Sequence, residues 1–160
     1  MLIAIEHGLP LTERTEASDV YKLDVGKVEY YWPHIERELD EEPELWEHWY
    51  TKAGIFERLF TEHMQAWVVC EKDGPIRALL FTQVLLKETG NVLQCWWARG
   101  FLSPGALSNI SDAFDRFGAH HDCIKLSVVG RPGWTRALRG LGMKPESVTL
   151  SRPIYPTTRH

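Results

Sequence analysis

The chain has 160 residues, 44% apolar and 25% charged, with 12 glycines, 9 prolines and a formal net charge of −4. That make-up describes one globular domain, residues 1–160, able to bury a sizeable core, and it excludes disordered, collagen-like and disulfide-scaffold classes. A pI near 6 argues against a general nucleic-acid binder, and no apolar run approaches the roughly 18 residues that a membrane span needs.

In chain order, Val28, Tyr31, Trp32, Ile35 and Leu39 recur at helical spacing and predict a first helix ending before Pro43. Pro33 fits it only in the first turn or at a kink. Leu45, Trp46, Trp49, Ile55, Leu59 and Phe60 predict a second helical region, broken near Gly54. The period then changes to that of strands. Ala66–Cys70 and Ile76–Leu86 read as a hairpin joined at Asp73-Gly74, and Val92–Ala98 follows as a third strand. Adjacent on that strand, Trp96 and Trp97 are expected to point to opposite faces.

Ser103-Pro104 has the cap and first-turn proline of a helix whose buried stripe is Leu107, Ile110, Phe114 and Phe117. In Cys123–Val129, Ile124, Leu126 and Val128 alternate with Lys125 and Ser127, which predicts another strand. A short helix from Gly133 to Leu141 is expected to stop at a left-handed Gly142. Ser147–Arg152 is predicted as the last strand, and 153–160 as a flexible tail. The fold class is α+β, a mixed and mostly antiparallel sheet flanked by helices.

Cys70, Cys95 and Cys123 are an odd set in apolar surroundings, which fits reduced thiols. Neighbouring side chains in His120-His121-Asp122-Cys123 diverge, so no metal site is expected. The N-terminus lacks the layout of a signal peptide, and a cytoplasmic protein with no membrane association is expected.

The element order, with the segment Leu126–Met143 and the following strand Ser147–Arg152, resembles the GNAT superfamily of acyl-CoA-dependent N-acetyltransferases. Gly130-Arg131-Pro132-Gly133-Trp134 with Leu138 and Leu141-Gly142, Trp32-Pro33 and Trp67-Val68-Val69 resemble most closely the small GNAT-like proteins of tailed bacteriophages. The superfamily resemblance implies a CoA pyrophosphate cradled at Arg99–Ala106. In that case Arg99, Gly100, Gly105, Arg131 and Arg136 would bind acetyl-CoA. Phe101 and Leu102 stand there where small residues are wanted, and Pro104 stands where an N–H is wanted. The strand expected to carry a general base has Gln94 but no acid, and Leu138 stands where the family places a tyrosine acid. No catalytic residue is therefore assigned and no cofactor is expected.

The phage resemblance implies a non-catalytic virion-associated or morphogenesis scaffold in the host cytoplasm or the phage particle, with a virion or host protein as partner. The alternatives are an active N-acetyltransferase using acetyl-CoA, or a host-directed inhibitor. Charge suggests the contact: residues 1–73 hold 17 acids against 7 lysines and arginines, while residues 74–160 hold 5 against 11. Glu41, Glu42, Glu44, Trp46 and Trp49 are the candidate interface. The tryptophans are open to a second reading, as the buried stripe of a helix.

Overall fold

The structure is a computed structural model that describes residues 3–5, 18–71, 74–130 and 134–156. Asp73, the Arg131–Gly133 stretch and 157–160 of the expected tail lie outside the described residues.

The described residues form six strands and four α-helices. β1 (Ile3–Ile5) and β2 (Ser18–Lys22) precede α1 (Val25–Glu41), a 3₁₀ turn (Pro43–Leu45) and α2 (Lys52–Phe60). β3 (Gln65–Glu71), β4 (Ile76–Leu85) and β5 (Asn91–Leu102) form an antiparallel meander, followed by α3 (Pro104–His120), β6 (Cys123–Val128) and α4 (Trp134–Arg139). The sheet order is β1-β5-β4-β3-β2, with β6 also on β5. This is the expected α+β architecture with a mixed sheet.

Capping side chains set the helix starts. Asp24 accepts from the Lys27 amide (2.9 Å), Thr51 from Gly54 (3.0 Å) and Ser103 from Ala106 (3.2 Å). Pro33 is interior to α1, not in its first turn, and sits on the exposed side of the helix, where a missing N–H meets water. The predicted break near Gly54 falls instead at Trp46–Tyr50, and Gly54 lies within the first turn of α2. The Trp46 indole donates to the Leu39 carbonyl at 2.7 Å, so it satisfies an acceptor at the end of α1 from inside the core.

Both faces of the sheet are covered. Val28, Ile35, Leu39, Ile55 and Leu59 of α1 and α2 pack on Leu79, Phe81, Trp96 and Trp97. On the other face Leu107, Ile110 and Phe114 of α3 pack on Leu80, Leu93 and Cys95, joined by half-buried Trp134 and Leu138 of α4. Buried Trp67 donates to Thr82 Oγ1 (2.9 Å), which in turn donates to Gln65 Oε1 (2.8 Å), so these three side chains satisfy one another, while the buried Trp134 indole N–H has no protein acceptor.

Two β-bulges overturn two expectations of facing. Between Phe81↔Trp97 and Thr82↔Cys95, β5 carries one extra residue, Trp96. The extra residue cancels the alternation, so Trp96 and Trp97 lie in the same core instead of on opposite faces. Between Asn91↔Cys123 and Val92↔Lys125 the extra residue is Ile124. Leu126 and Val128 join the α3-side core, while Ile124 is exposed and lies across Gly90. Two further corrections concern strand length. β5 runs on to Leu102, and the predicted strand Ser147–Arg152 is absent; that segment has no regular secondary structure. Gly142 has the expected positive φ (+80°) after α4.

Candidate functional site

The bulge at Trp96 coincides with a break in the edge of β5. Opposite β4, that edge is paired in parallel with β6 at Asn91–Cys95 and with β1 at Gly100–Leu102. The Val129 amide closes the β6 side by donating to the Cys95 carbonyl at 2.9 Å. Among the described residues the stretch Trp96–Arg99 lies in neither ladder, between two strands that run parallel to it.

On the α1–α2 face of this break, side chains link helix to sheet. Tyr50 Oη donates to Gln83 Oε1 (3.1 Å), and Gln83 Nε2 donates to Gln94 Oε1 (2.9 Å). The Tyr50 ring lies 4.9 Å from Trp96, and the Arg58 guanidinium sits 4.7 Å over Tyr50. The Trp96 indole N–H is buried without a protein acceptor. Gln94 is the one long polar side chain within the predicted strand Val92–Ala98. The contribution of Tyr50 and Gln83 arises from register and helix placement, which no local pattern in the sequence signals.

Residues 99–106 do not form a phosphate loop. Arg99–Leu102 belong to β5, and Ser103 alone separates the strand from α3. In the first turn of α3, Pro104 has no N–H and the Ala106 amide is taken by Ser103 Oγ. That leaves the Gly105 amide, while the Phe101 side chain is exposed. Arg99 turns toward α1, where its guanidinium donates to Glu38 (2.5 Å) and Glu42 (2.6 Å). Gly100 has φ +128°, and a Cβ there would lie 2.3 Å from the Arg77 carbonyl oxygen, so close backbone approach fixes this glycine. Arg136 is exposed on α4, and Arg131 lies outside the described residues. A pyrophosphate needs several converging N–H donors. This donor set does not fit one.

The cavity between β4–β6 and α3–α4 is apolar, lined by Leu80, Cys95, Ile110, Leu126, Trp134 and Leu138 among others, and has a volume of about 40 Å³. Ligand pockets occupy roughly 300–1,000 Å³. The Trp134 ring covers Gly130, and Leu138 packs into the same core, so both serve packing here.

The acidic run divides by direction. Glu42 is paired with Arg99, and Trp46 is buried; Glu41, Glu44 and Trp49 are exposed, Trp49 at 68%. Lys52 bridges Glu36 and Asp40, each at 3.0 Å, and the hydrogen bonds that its ammonium donates, to Asp40 first and then Glu36, raise its pKa. All three cysteines are free, and no cluster of three metal-ligating side chains occurs among the described residues. No described helix is long and apolar enough to cross a membrane.

No protein-family model matches the chain, and no curated protein matches it by sequence. Solved structures do match in fold. An aminoglycoside acetyltransferase from an uncultured soil metagenomic sample is similar at 17% identity and TM-score 0.63, over 87% of this chain and 99% of that one. The aminoglycoside N-acetyltransferase AAC(6')-Iy in complex with CoA matches at 14% and 0.59, over 85% and 94%. A predicted acetyltransferase with acetyl-CoA from Clostridium acetobutylicum matches at 12% and 0.58, over 85% and 96%. The fold is therefore that of the GNAT acetyltransferases.

Proposed function

We propose that this chain uses the acetyltransferase fold as a protein-binding scaffold and does not transfer acetyl groups. The observation that carries this reading is the start of α3. One amide is absent at Pro104, a second is held by the Ser103 cap, and the Arg99 guanidinium is held by two carboxylates. Hydrogen bonds to a charged group contribute roughly 1.5–3 kcal/mol each, so the loss of two donors lowers affinity for a CoA pyrophosphate by at least a hundredfold or so. The exposed Glu41, Glu44 and Trp49 supply steering and apolar area for a basic protein surface. The resemblance to small phage proteins gives that partner its class, a virion or host protein.

A second reading, an active N-acetyltransferase, is favoured by the broken edge of β5. Four residues of strand edge outside any ladder, beside a bulge, offer backbone donors and acceptors to an extended, amide-bearing ligand. Calorimetry with acetyl-CoA, beside an acetylation assay on mixed amines, separates the two. The scaffold reading expects binding weaker than about 0.1 mM and no turnover. Low-micromolar binding or any turnover above background overturns it in favour of the transferase.

A further inference from the structure

Beyond α4, described residues up to 156 form an exposed arm that holds a segment complementary to itself. Met143 lines the α3–α4 cavity together with Val128, and the Glu146 carboxylate is ion-paired with Lys125. The chain therefore passes β6 from its end toward its start. No backbone hydrogen bond joins residues 143–156 to β6 among the described residues. Past Glu146 the arm overruns the strand, leaving Val148 and Leu150 85% and 91% exposed. An alternating apolar segment with no neighbour is a strand without a ladder.

The segment reads Pro145-Glu-Ser-Val-Thr-Leu-Ser-Arg-Pro153. Laid antiparallel on a copy of itself about a two-fold axis through Thr149, it matches at every position. Val148 meets Leu150, Ser147 meets Ser151, and Glu146 meets Arg152. Val148 and Leu150 are apolar on one face, while Ser147, Thr149 and Ser151 are polar on the other. The prolines close both ends, where a ladder needs no further N–H. In the single chain Arg152 has the Pro153 carbonyl (2.9 Å) and the Tyr155 ring as neighbours and no carboxylate among the described residues. Shifting the register by two residues in either direction loses the Glu146–Arg152 matches and sets a proline against the ladder.

We infer that residues 145–153 of two copies pair as an antiparallel ribbon centred on Thr149 and make the protein a two-fold dimer. The interface is isologous, so each cross-strand pair occurs twice. A two-stranded ribbon alone is marginal. The exposed Ile124 of β6, one residue from the Lys125 that anchors Glu146, gives its apolar face a surface to cover.

Light scattering on the full chain gives the first result, with a mass of twice 18.5 kDa expected across the micromolar range. Val148→Glu with Leu150→Glu raises the dimer dissociation constant roughly a hundredfold or more, with an unchanged near-ultraviolet spectrum as the check on folding. Register is tested by disulfide trapping in a Cys70→Ser/Cys123→Ser background. Thr149→Cys crosslinks to its own copy, whereas Ser147→Cys crosslinks to Ser151→Cys and poorly to itself. Arg152→Glu weakens the dimer by about tenfold, and adding Glu146→Arg restores it. A monomer at all concentrations, a dimer that survives the double-glutamate change, or absence of the Thr149→Cys crosslink overturns the inference.

Discussion

Arg99 lies where the family resemblance expects a phosphate ligand, but its neighbours give it a structural role. At 20% side-chain exposure, flanked by Glu38 and Glu42, it ties the middle of β5 to the last turns of α1. The two carboxylates would be left in partly desolvated positions without it, which makes the cation necessary whether or not a ligand ever binds. Cys95 is a second residue defined by its surroundings. Burial pushes its thiol up to about 12 from an ordinary value near 9. At pH 8, iodoacetamide is therefore expected to label Cys70 and Cys123, whose thiols are raised by their own partial burial, and to spare Cys95 until denaturant is added. Peptide mass spectrometry counts the labels. The linkage has a definite sign: between pH 9 and about 12 the unfolded thiol releases its proton and the folded one keeps it, so stability falls as pH rises through that window. Early labelling of Cys95 in the native protein would contradict the packing of α3 on β5.

At the scale of elements, β5 organises the molecule, and Gly100 is its most constrained point. It pairs with Ala78 of β4 on one side and Ile3 of β1 on the other, with φ +128°. Gly100→Ala combines a left-handed backbone penalty with overlap on the Arg77 carbonyl, and a loss of about 2–4 kcal/mol is expected. Urea unfolding reads this as a lower midpoint at unchanged slope. A change below about 0.5 kcal/mol would return Gly100 to the role of a ligand-approach glycine. The length of β5 shows where sequence reading stops. Caps and stripes are local, so Ser103-Pro104 with Leu107, Ile110 and Phe114 located the start of α3 to the residue. Bulges depend on the partner strand, so the facing of Trp96, Trp97 and Ile124 was not legible. β1 and β2, three and five residues long, carry too little pattern to register at all, and the break at Trp96–Arg99 exists only because β1 and β6 share one edge.

At the scale of the whole molecule, the two cores are joined through the strands. Along β4, Leu79 and Phe81 face α1 and α2, while Ala78 and Leu80 face α3; β5 contributes Trp97 to one layer and Cys95 and Ala98 to the other. Neither layer can lose its sheet contacts without uncovering apolar residues of the other, so the helices on the two faces cannot unfold independently while the meander persists. The runs of consecutive apolar residues in β3–β5, such as Ala78–Phe81, made this two-layer plan legible in the sequence, because a strand apolar at consecutive positions must be covered on both sides. A single cooperative transition is therefore expected. Far-ultraviolet ellipticity reports all four helices, and tryptophan fluorescence reports both layers through Trp46, Trp96 and Trp97 on one face and Trp67 and Trp134 on the other. Measured on the dimer-disrupting Val148→Glu/Leu150→Glu protein, to keep association out of the equilibrium, the two signals should give coincident urea curves and one midpoint. Separate midpoints would mean that one helical layer detaches first, with β5 remaining paired to β4 beneath an uncovered face.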